Sequence, residues 1–577
     1  MKMDRRTFLV SAGLAAAVGG SAFLWQQRNN ARDRIRANLK RPSGKQSNIL
    51  FIVTDQERSR PQLPDIPLPQ RDRLMERSTI FSNATAVTNL CSTARGTIFS
   101  GLHPQQNGLW DNTPLPYASD LRRDVPTLGT MMQDAGYVTG YFGKWHLTNL
   151  PHEGGIGRQK FAALMQDYGF DHTDQEGERD GTHVGFEWDP VTARSAATFM
   201  ERQKSDEKPW FAAVNLVNPH DIMFFMTSEH QRQSRVLRFP DKIAGAPIDP
   251  LYHKDWQLDL PQNFGPATLA GKPEAQQEMQ RVMELTLGEI PFEDEDGWRL
   301  YQNYYANCLR DVDRWIGFLL DALEATGQAD NTIVVFTSDH GEMAGVHGLR
   351  EKGANLYREN SNVPLWIRHP DIKDASETLA LASHIDIAPT MLALAGIPIE
   401  TTREAYPMLK GVDLSTALSG VSGRGVDSAG RTAALCQWTS LIHLSSQSVY
   451  AAAAVLESGG LIDKIGYLFD DRRKNAGATR GAMRGLYDGR HKFARYFSPR
   501  DHHTPASYED LVARNDLELY DTAEDPGETI NLAQPGNRDA SRERIETLNA
   551  TLTDLIRSEV GEDTGSFLPG ALSPWAV

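Results

Sequence analysis

The chain reads as an α/β protein with a large domain and a smaller C-terminal one, and three observations predict this. Several apolar runs stop abruptly at polar residues: Asn48–Asp55, Trp210–Val217 and Thr332–Ser338. Such runs fit strands buried on both faces of a parallel sheet, where the alternation of a half-exposed strand is lost. The segment Trp298–Ala325 instead repeats apolar residues at helical spacing, from Tyr301 through Tyr305, Cys308, Leu309, Val312, Ile316 and Leu319 to Leu323, and Gly327 closes it. Finally, 577 residues exceed what one minimal core sustains. A shift to Gly, Ser and Ala after Leu414 sets the boundary, giving a catalytic-sized unit over 46–425 and a small α+β unit over 426–577.

The N-terminus reads as a targeting segment. Arg5 and Arg6 precede a mildly apolar run from Phe8 to Trp25, the form of a twin-arginine export signal. Residues 1–33 are therefore a signal that engages the twin-arginine translocon, or an N-terminal membrane anchor through residues 8–25, and 34–45 a linker. A formal net charge of −15 argues against a nucleic-acid binder and leaves an anionic small substrate open, since a local site can be positive on an acidic protein. Three cysteines, Cys91, Cys308 and Cys436, give no disulfide framework.

Taken in order, the first strand delivers Asp55 and Gln56 at its C-terminal end, where open α/β sheets hold ligands. Asp55 alone reads equally as a helix cap. Next comes Cys91-Ser92-Thr93-Ala94-Arg95, leading to Ser100-Gly101, with Cys91 at or just before a helix N-terminus. A helix over Val125–Ala135, capped by Asp124, precedes a short strand, Gly136–Phe142, which delivers Lys144 and His146. The Trp210–Val217 strand leads to His220, followed by an apolar cluster, Ile222–Met226, that is core or a pocket wall. Thr227 to Asp296 reads as an irregular surface excursion. The strand Thr332–Ser338 ends in Asp339-His340-Gly341-Glu342, and Lys352 follows in a Gly-containing loop. Leu365–His369 reads as a further strand, and Asp386 as an N-cap. Short strands around Leu486–Tyr487, His491–Tyr496 and Leu517–Asp521 form the small unit.

These motifs resemble, in order, those of the type I sulfatases. Cys91, Arg95, Ser100 and Gly101 match the signature, with Thr93 where that family places Pro or Ala. Gly143-Lys144-Trp145-His146, Asn218-Pro219-His220 and Ser338-Asp339-His340-Gly341-Glu342 match later motifs, and Asp55-Gln56 is similar to choline-sulfatase and phosphonate monoester hydrolase relatives. The resemblance implies an alkaline-phosphatase-like fold, a large mixed sheet flanked by helices with a smaller C-terminal antiparallel sheet. It implies that Cys91 is oxidised to formylglycine by a formylglycine-generating enzyme. It implies a divalent metal, calcium before manganese or magnesium, on Asp55, Gln56, Asp339 and His340. Arg95, Lys144 and Lys352 would then surround the sulfuryl group and nucleophile, His220 would protonate the leaving group and His146 would serve as a base. The activity implied is hydrolysis of an aryl or carbohydrate sulfate ester by a periplasmic or extracellular enzyme. Phosphonate monoester or phosphodiester hydrolysis on the same site is one alternative, and an exported binding protein with a degenerate site is another.

Overall fold

A computed structural model of the chain describes residues 39, 46–113, 118–150, 155–179, 181–205, 207–236, 243–265, 270–418, 428–440, 480–499 and 501–565. The predicted signal or anchor (1–33), the linker apart from Leu39, and the predicted boundary at 425/426 lie outside the described residues.

The larger sheet is built from β1 (Asn48–Asp55), β2 (Thr79–Thr85), β3 (Val138–Gly143), β4 (Trp210–Pro219), β5 (Thr332–Ser338), β6 (Leu365–Arg368) and β7 (Ser376–Ser383). Its order is β3-β4-β1-β5-β6-β2-β7. The first four are mutually parallel, and β6 runs antiparallel to both β5 and β2, so the sheet is mixed as expected. β1 is buried along its whole length and sits between β4 and β5. Its alternate residues serve two cores. Ile49, Phe51 and Val53 pack with helix α1 (Cys91–Ser100), while Leu50 and Ile52 face the opposite layer. Burial on both faces explains why the run shows no alternation in the sequence.

The opposite layer contains two long helices, α3 (Val184–Gln203) and α5 (Glu295–Ala325). Val312, Ile316, Leu319, Leu320 and Leu323 of α5 lie against Leu50, Ile52, Val334 and Phe336. Between α1 and α3 comes α2 (Leu128–Asp134). This helix starts three residues later than predicted. Its cap is Thr127, whose hydroxyl accepts from the Thr130 amide, whereas Asp124 is tied to Arg122. The Pro at 126 disfavours helical backbone at Val125 and moves the start past itself.

The predicted surface excursion also needs correction, because it contains α4 (Glu274–Leu287). Ala275, Met279, Met283 and Leu287 bury one narrow face of α4 against Trp438, Met483, Ala494 and Tyr496 of the smaller sheet. That sheet is β11-β10-β9-β8, wholly antiparallel, from β8 (Ala434–Trp438), β9 (Ala482–Tyr487), β10 (His491–Phe497) and β11 (Asp516–Asp521). Helix α6 (Arg542–Glu559) covers its other face through Ile545, Leu548, Leu552 and Ile556. Cys308 and Cys436 are free, buried core residues, as the spacing of Cys308 predicted. No helix among the described residues is long and apolar enough to cross a membrane.

Candidate active site

The C-terminal ends of β1, β3, β4 and β5 lie side by side in the sheet order, and each carries a predicted residue out of its strand: Asp55, Lys144, His220 and Asp339. The N-terminus of α1 brings in Cys91 as its first residue, with Leu90 as N-cap. Gly101 ends α1 in the left-handed conformation at φ 68°, where a Cβ would strike Leu409 and Ala388.

One ligating atom each from Asp55, Cys91, Asp339 and His340 lies within 4.8 Å of all the others, and all four residues are buried. Cys91 Sγ is 3.2 Å from His340 Nε2 and 3.9 Å from Asp55 Oδ1. The His340 ring orientation is fixed behind the cluster: Nδ1 donates to the Gly341 carbonyl at 3.0 Å, leaving Nε2 facing Cys91. Asp339 Oδ1 accepts from the backbone amides of Gln56 and His340, at 3.1 and 2.9 Å. Its second oxygen, Oδ2, is buried with no hydrogen-bond partner.

Acidic and basic groups shift one another across the cluster. Burial and the neighbouring Asp55 raise the Asp339 carboxyl above its ordinary range. Burial also works on Asp55, but Lys144, His220 and His340 outweigh it and hold that carboxyl well below its ordinary range. Burial disfavours a charged His340, yet Asp339 and the Cys91 sulfur prevail and push its pKa up to about 9. Lys144 Nζ donates to Asp55 Oδ2 at 2.5 Å. Lys352 Nζ donates to Gln56 Oε1 at 2.9 Å.

Gln56 stands in the left-handed region at φ 72°, which turns its side chain back toward the cluster. Its carboxamide nitrogen donates to both Glu342 Oε2 and Glu351 Oε2, at 2.5 and 3.0 Å. That fixes the oxygen on the side of Lys352, with one of its two lone pairs uncommitted to Lys352. Tyr301 donates to the other Glu351 oxygen at 2.9 Å. Burial and Glu342 together raise the Glu351 pKa to about 7. Glu342 and Glu351 were not singled out from the sequence; their signal was two acids bracketing a buried amide that only the fold brings together.

Arg95 lies one turn into α1 but does not reach into the cluster with its bonded nitrogens. Nε donates to the Trp145 carbonyl at 3.1 Å, and Nη2 donates to Tyr141, to Asn215 Oδ1 and to the Lys144 carbonyl. Only Nη1 is buried without a partner. Arg95 therefore clamps the turn that presents Lys144. Gly143 allows that turn, at φ 94°, since a Cβ there would overlap the Asn215 carbonyl. His146 sits at φ 54°; its Nε2 donates to the Thr113 carbonyl at 2.6 Å, and its Nδ1 is buried without a partner. Burial and Lys144 hold His146 well below its ordinary pKa, so it is neutral.

His220 begins the turn after β4 and lines a cavity of about 90 Å³ together with Lys144. The apolar cluster after it divides between both predicted roles. Ile222 and Phe225 are buried in the core, whereas Phe224 lines the cavity and Met223 Sδ lies 3.8 Å from Lys352 Nζ. His384 and Asp386 are structural: His384 Nε2 donates to the Ser338 carbonyl, and Asp386 pairs with Arg431.

The central strands carry buried carboxylates and histidines to one edge of the sheet, where they meet the helix-terminal Cys91, and with the family match this places the chain in the alkaline phosphatase-like superfamily of hydrolases. The Sulfatase family profile matches residues 47–397, most of the chain, and the chain belongs to that family. It is 29% identical over 408 residues to N-acetylglucosamine-6-O-sulfatase of Bacteroides thetaiotaomicron, covering 63% of this chain and 70% of that one. The structure of a 2-O GAG sulfatase superposes with a TM-score of 0.60 at 21% identity, covering 89% of this chain and 93% of the other. Phosphonate monoester hydrolase from Silicibacter pomeroyi superposes with a TM-score of 0.59 at 20% identity, over 90% and 97%. These two likenesses show the fold. The chain is a sulfuric ester hydrolase.

Proposed function

We propose that this sulfatase releases inorganic sulfate from a carbohydrate sulfate ester. The observation that carries the reading is the buried cluster at the α1 N-terminus, where Cys91 meets Asp55 and His340, Lys144 and Lys352 bond Asp55 and Gln56, and Asp339 Oδ2 has no partner. The N-acetylglucosamine-6-O-sulfatase relative supports the carbohydrate class.

The unpartnered Asp339 Oδ2 and a His340 Nε2 that the Nδ1 hydrogen bond turns toward the cluster fit a divalent cation. Asp55, Asp339, His340 and the uncommitted lone pair of Gln56 would hold it, and the oxygen-rich set favours calcium, with manganese or magnesium as alternatives. Such an ion supplies neutralisation of the ester's charge and acidification of an attacking hydroxyl. Cys91 is the residue we propose to be oxidised by a formylglycine-generating enzyme before twin-arginine export to the periplasm or beyond. An oxygen then stands where Sγ stands now.

The remaining groups act on the ester itself. Lys144 and Lys352 hold the sulfuryl oxygens, and Arg95 keeps Lys144 in place through the 143–145 turn. His220 protonates the departing alkoxide, a contribution of about 10²–10⁴ in rate. Burial and Lys144 hold His220 well below its ordinary pKa, and a bound anionic ester would oppose the lysines. His146 presents the Nδ1 lone pair as a base, because Nε2 is committed to Thr113.

The Asp55-Gln56 pair and the phosphonate hydrolase likeness favour one second reading, phosphonate monoester hydrolysis. Turnover of 4-nitrophenyl sulfate and of the 4-nitrophenyl ester of phenylphosphonate separates the two. The proposal expects sulfate release to have the higher kcat/KM. Preference for the phosphonate supports the second reading. Peptide mass at residue 91 checks the modification.

A further inference from the structure

The cavity that Lys144 and His220 line extends to Arg179, Trp188 and Phe224. Its charged groups are not equivalent. Asp174 accepts from Arg158 and from the Ser195 hydroxyl, both at 3.1 Å, and Glu178 accepts from the His146 backbone amide. Lys144 is paired with Asp55. Arg179 differs: its guanidinium carbon stands over the Trp188 ring, 3.9 Å from the centroid, and the side chain makes no hydrogen bond or ion pair among the described residues. Stacking on an indole holds the guanidinium in position while leaving its in-plane N–H donors free. Donors held in that way suit a planar or tetrahedral oxyanion, which a guanidinium binds through two parallel hydrogen bonds. Phe224, half-buried, lines the same cavity and offers an apolar face for the ring that carries such an acid.

We infer that Arg179 is a second anion-binding point, so that the alcohol part of the substrate is a saccharide bearing an acidic group beyond the sulfate that is cleaved. The inference rests on the sulfatase reading and narrows its substrate class. The acid is a carboxylate or a second sulfo group, which share the same bidentate recognition. Arg179 is then a specificity-determining residue, selecting anionic over neutral sugars without touching the sulfur.

The test is competition against 4-nitrophenyl sulfate hydrolysis by wild type and Arg179→Gln. Three monosaccharide glycosides of equal size serve as inhibitors: methyl glucoside, methyl glucuronide and methyl sulfoquinovoside, whose C-sulfonate cannot be hydrolysed. Wild type is expected to bind at least one acidic glycoside about 10-fold more tightly than the neutral one, the size of a charge-assisted hydrogen bond. In Arg179→Gln that preference should fall to about 2-fold or less, and the acidic glycoside that loses more identifies the acid. Arg179→Lys, which keeps the charge and loses the fork, should retain part of it. Equal inhibition by all three in wild type overturns the inference. So does a preference that survives in Arg179→Gln, which would assign the acid to Lys144 and Lys352 instead. Wild type that leaves 4-nitrophenyl sulfate intact removes the sulfatase reading and this inference with it, whereas the first two results remove the inference alone. A melting temperature within about 2 °C of wild type confirms that the variants are folded, as expected for a side chain with no hydrogen bond to lose.

Discussion

Asp55 and Glu57 are separated by one residue, both are fully buried, and they belong to opposite kinds of charge cluster. Glu57 forms a bidentate pair with Arg71, at 2.6 and 2.7 Å, and Arg71 turns its remaining nitrogen to Asp313 at 3.0 Å and the Leu309 carbonyl at 3.2 Å. The Gln70 amide and the Arg71 amide satisfy Asp313 from behind. Every charged atom of that cluster has a partner within the protein. Around Asp55 the count does not close: Asp339 Oδ2, His146 Nδ1 and Arg95 Nη1 are all buried without one. Burial and charge are common to both clusters, so neither marks a functional site. What separates them is unsatisfied valence, which is costly in a low-dielectric interior and persists where a ligand completes it.

The largest expected effect falls on the unsatisfied side. Cys91→Ala should lower kcat/KM for an aryl sulfate by about 10⁴-fold or more, the scale of losing a nucleophile, while the melting temperature stays near wild type. Residual activity within 10-fold of wild type, about 1.4 kcal/mol, would place the chemistry elsewhere. On the saturated side the same kind of change should act on stability alone. Arg71→Met leaves Glu57 and Asp313 buried without their cation, and should cost about 3–5 kcal/mol in a urea titration. A cost below about 1 kcal/mol would mean that the two clusters do not differ as described.

Asp221 is the intermediate case. Its carboxylate accepts from the Gly185 and Phe186 amides, at 2.9 and 3.0 Å, and no ion pair joins it to a cation among the described residues. Burial raises its pKa to about 7. The folded chain then keeps a proton that the unfolded chain releases above about pH 4. Between about pH 4 and pH 7 the folded state binds more protons than the unfolded one, so this contribution to stability is full below that window and is lost as pH rises through it. Asp221→Asn should flatten the fall in melting temperature between pH 5 and pH 8 relative to wild type. An unchanged slope would assign the proton to another group.

Those three cases also show where the sequence was legible. Asp55, Lys144, His220 and Asp339 each follow an apolar run, and a strand buried on both faces announces itself by continuous hydrophobicity, so its C-terminal residue can be located without the fold. Helix α4 was not legible, because only a narrow stripe of it is apolar and Pro and mixed charge surround it. The partners of Gln56 were out of reach for a different reason. Glu342 and Glu351 lie nearly three hundred residues away in the chain, and their meeting depends on the pairing of β1 with β5. Arg95 was expected to face the reacting group; that its Nε and Nη2 are also spent on carbonyls exposed by the turn at Gly143, leaving Nη1 unpartnered, could not be read from the sequence. Sequence places residues at strand ends, while which hydrogen bonds are left unfilled is a property of the assembled interior.

The central claim is that the unfilled valence at Asp339 is a metal site. It is tested most directly by metal content, measured by inductively coupled plasma mass spectrometry on wild type and Asp339→Asn purified alike. The substitution keeps the shape of the side chain and removes its charge. Wild type should carry about one divalent ion per chain, calcium before manganese or magnesium, and the variant should lose it without unfolding. Full occupancy in folded Asp339→Asn would contradict the claim.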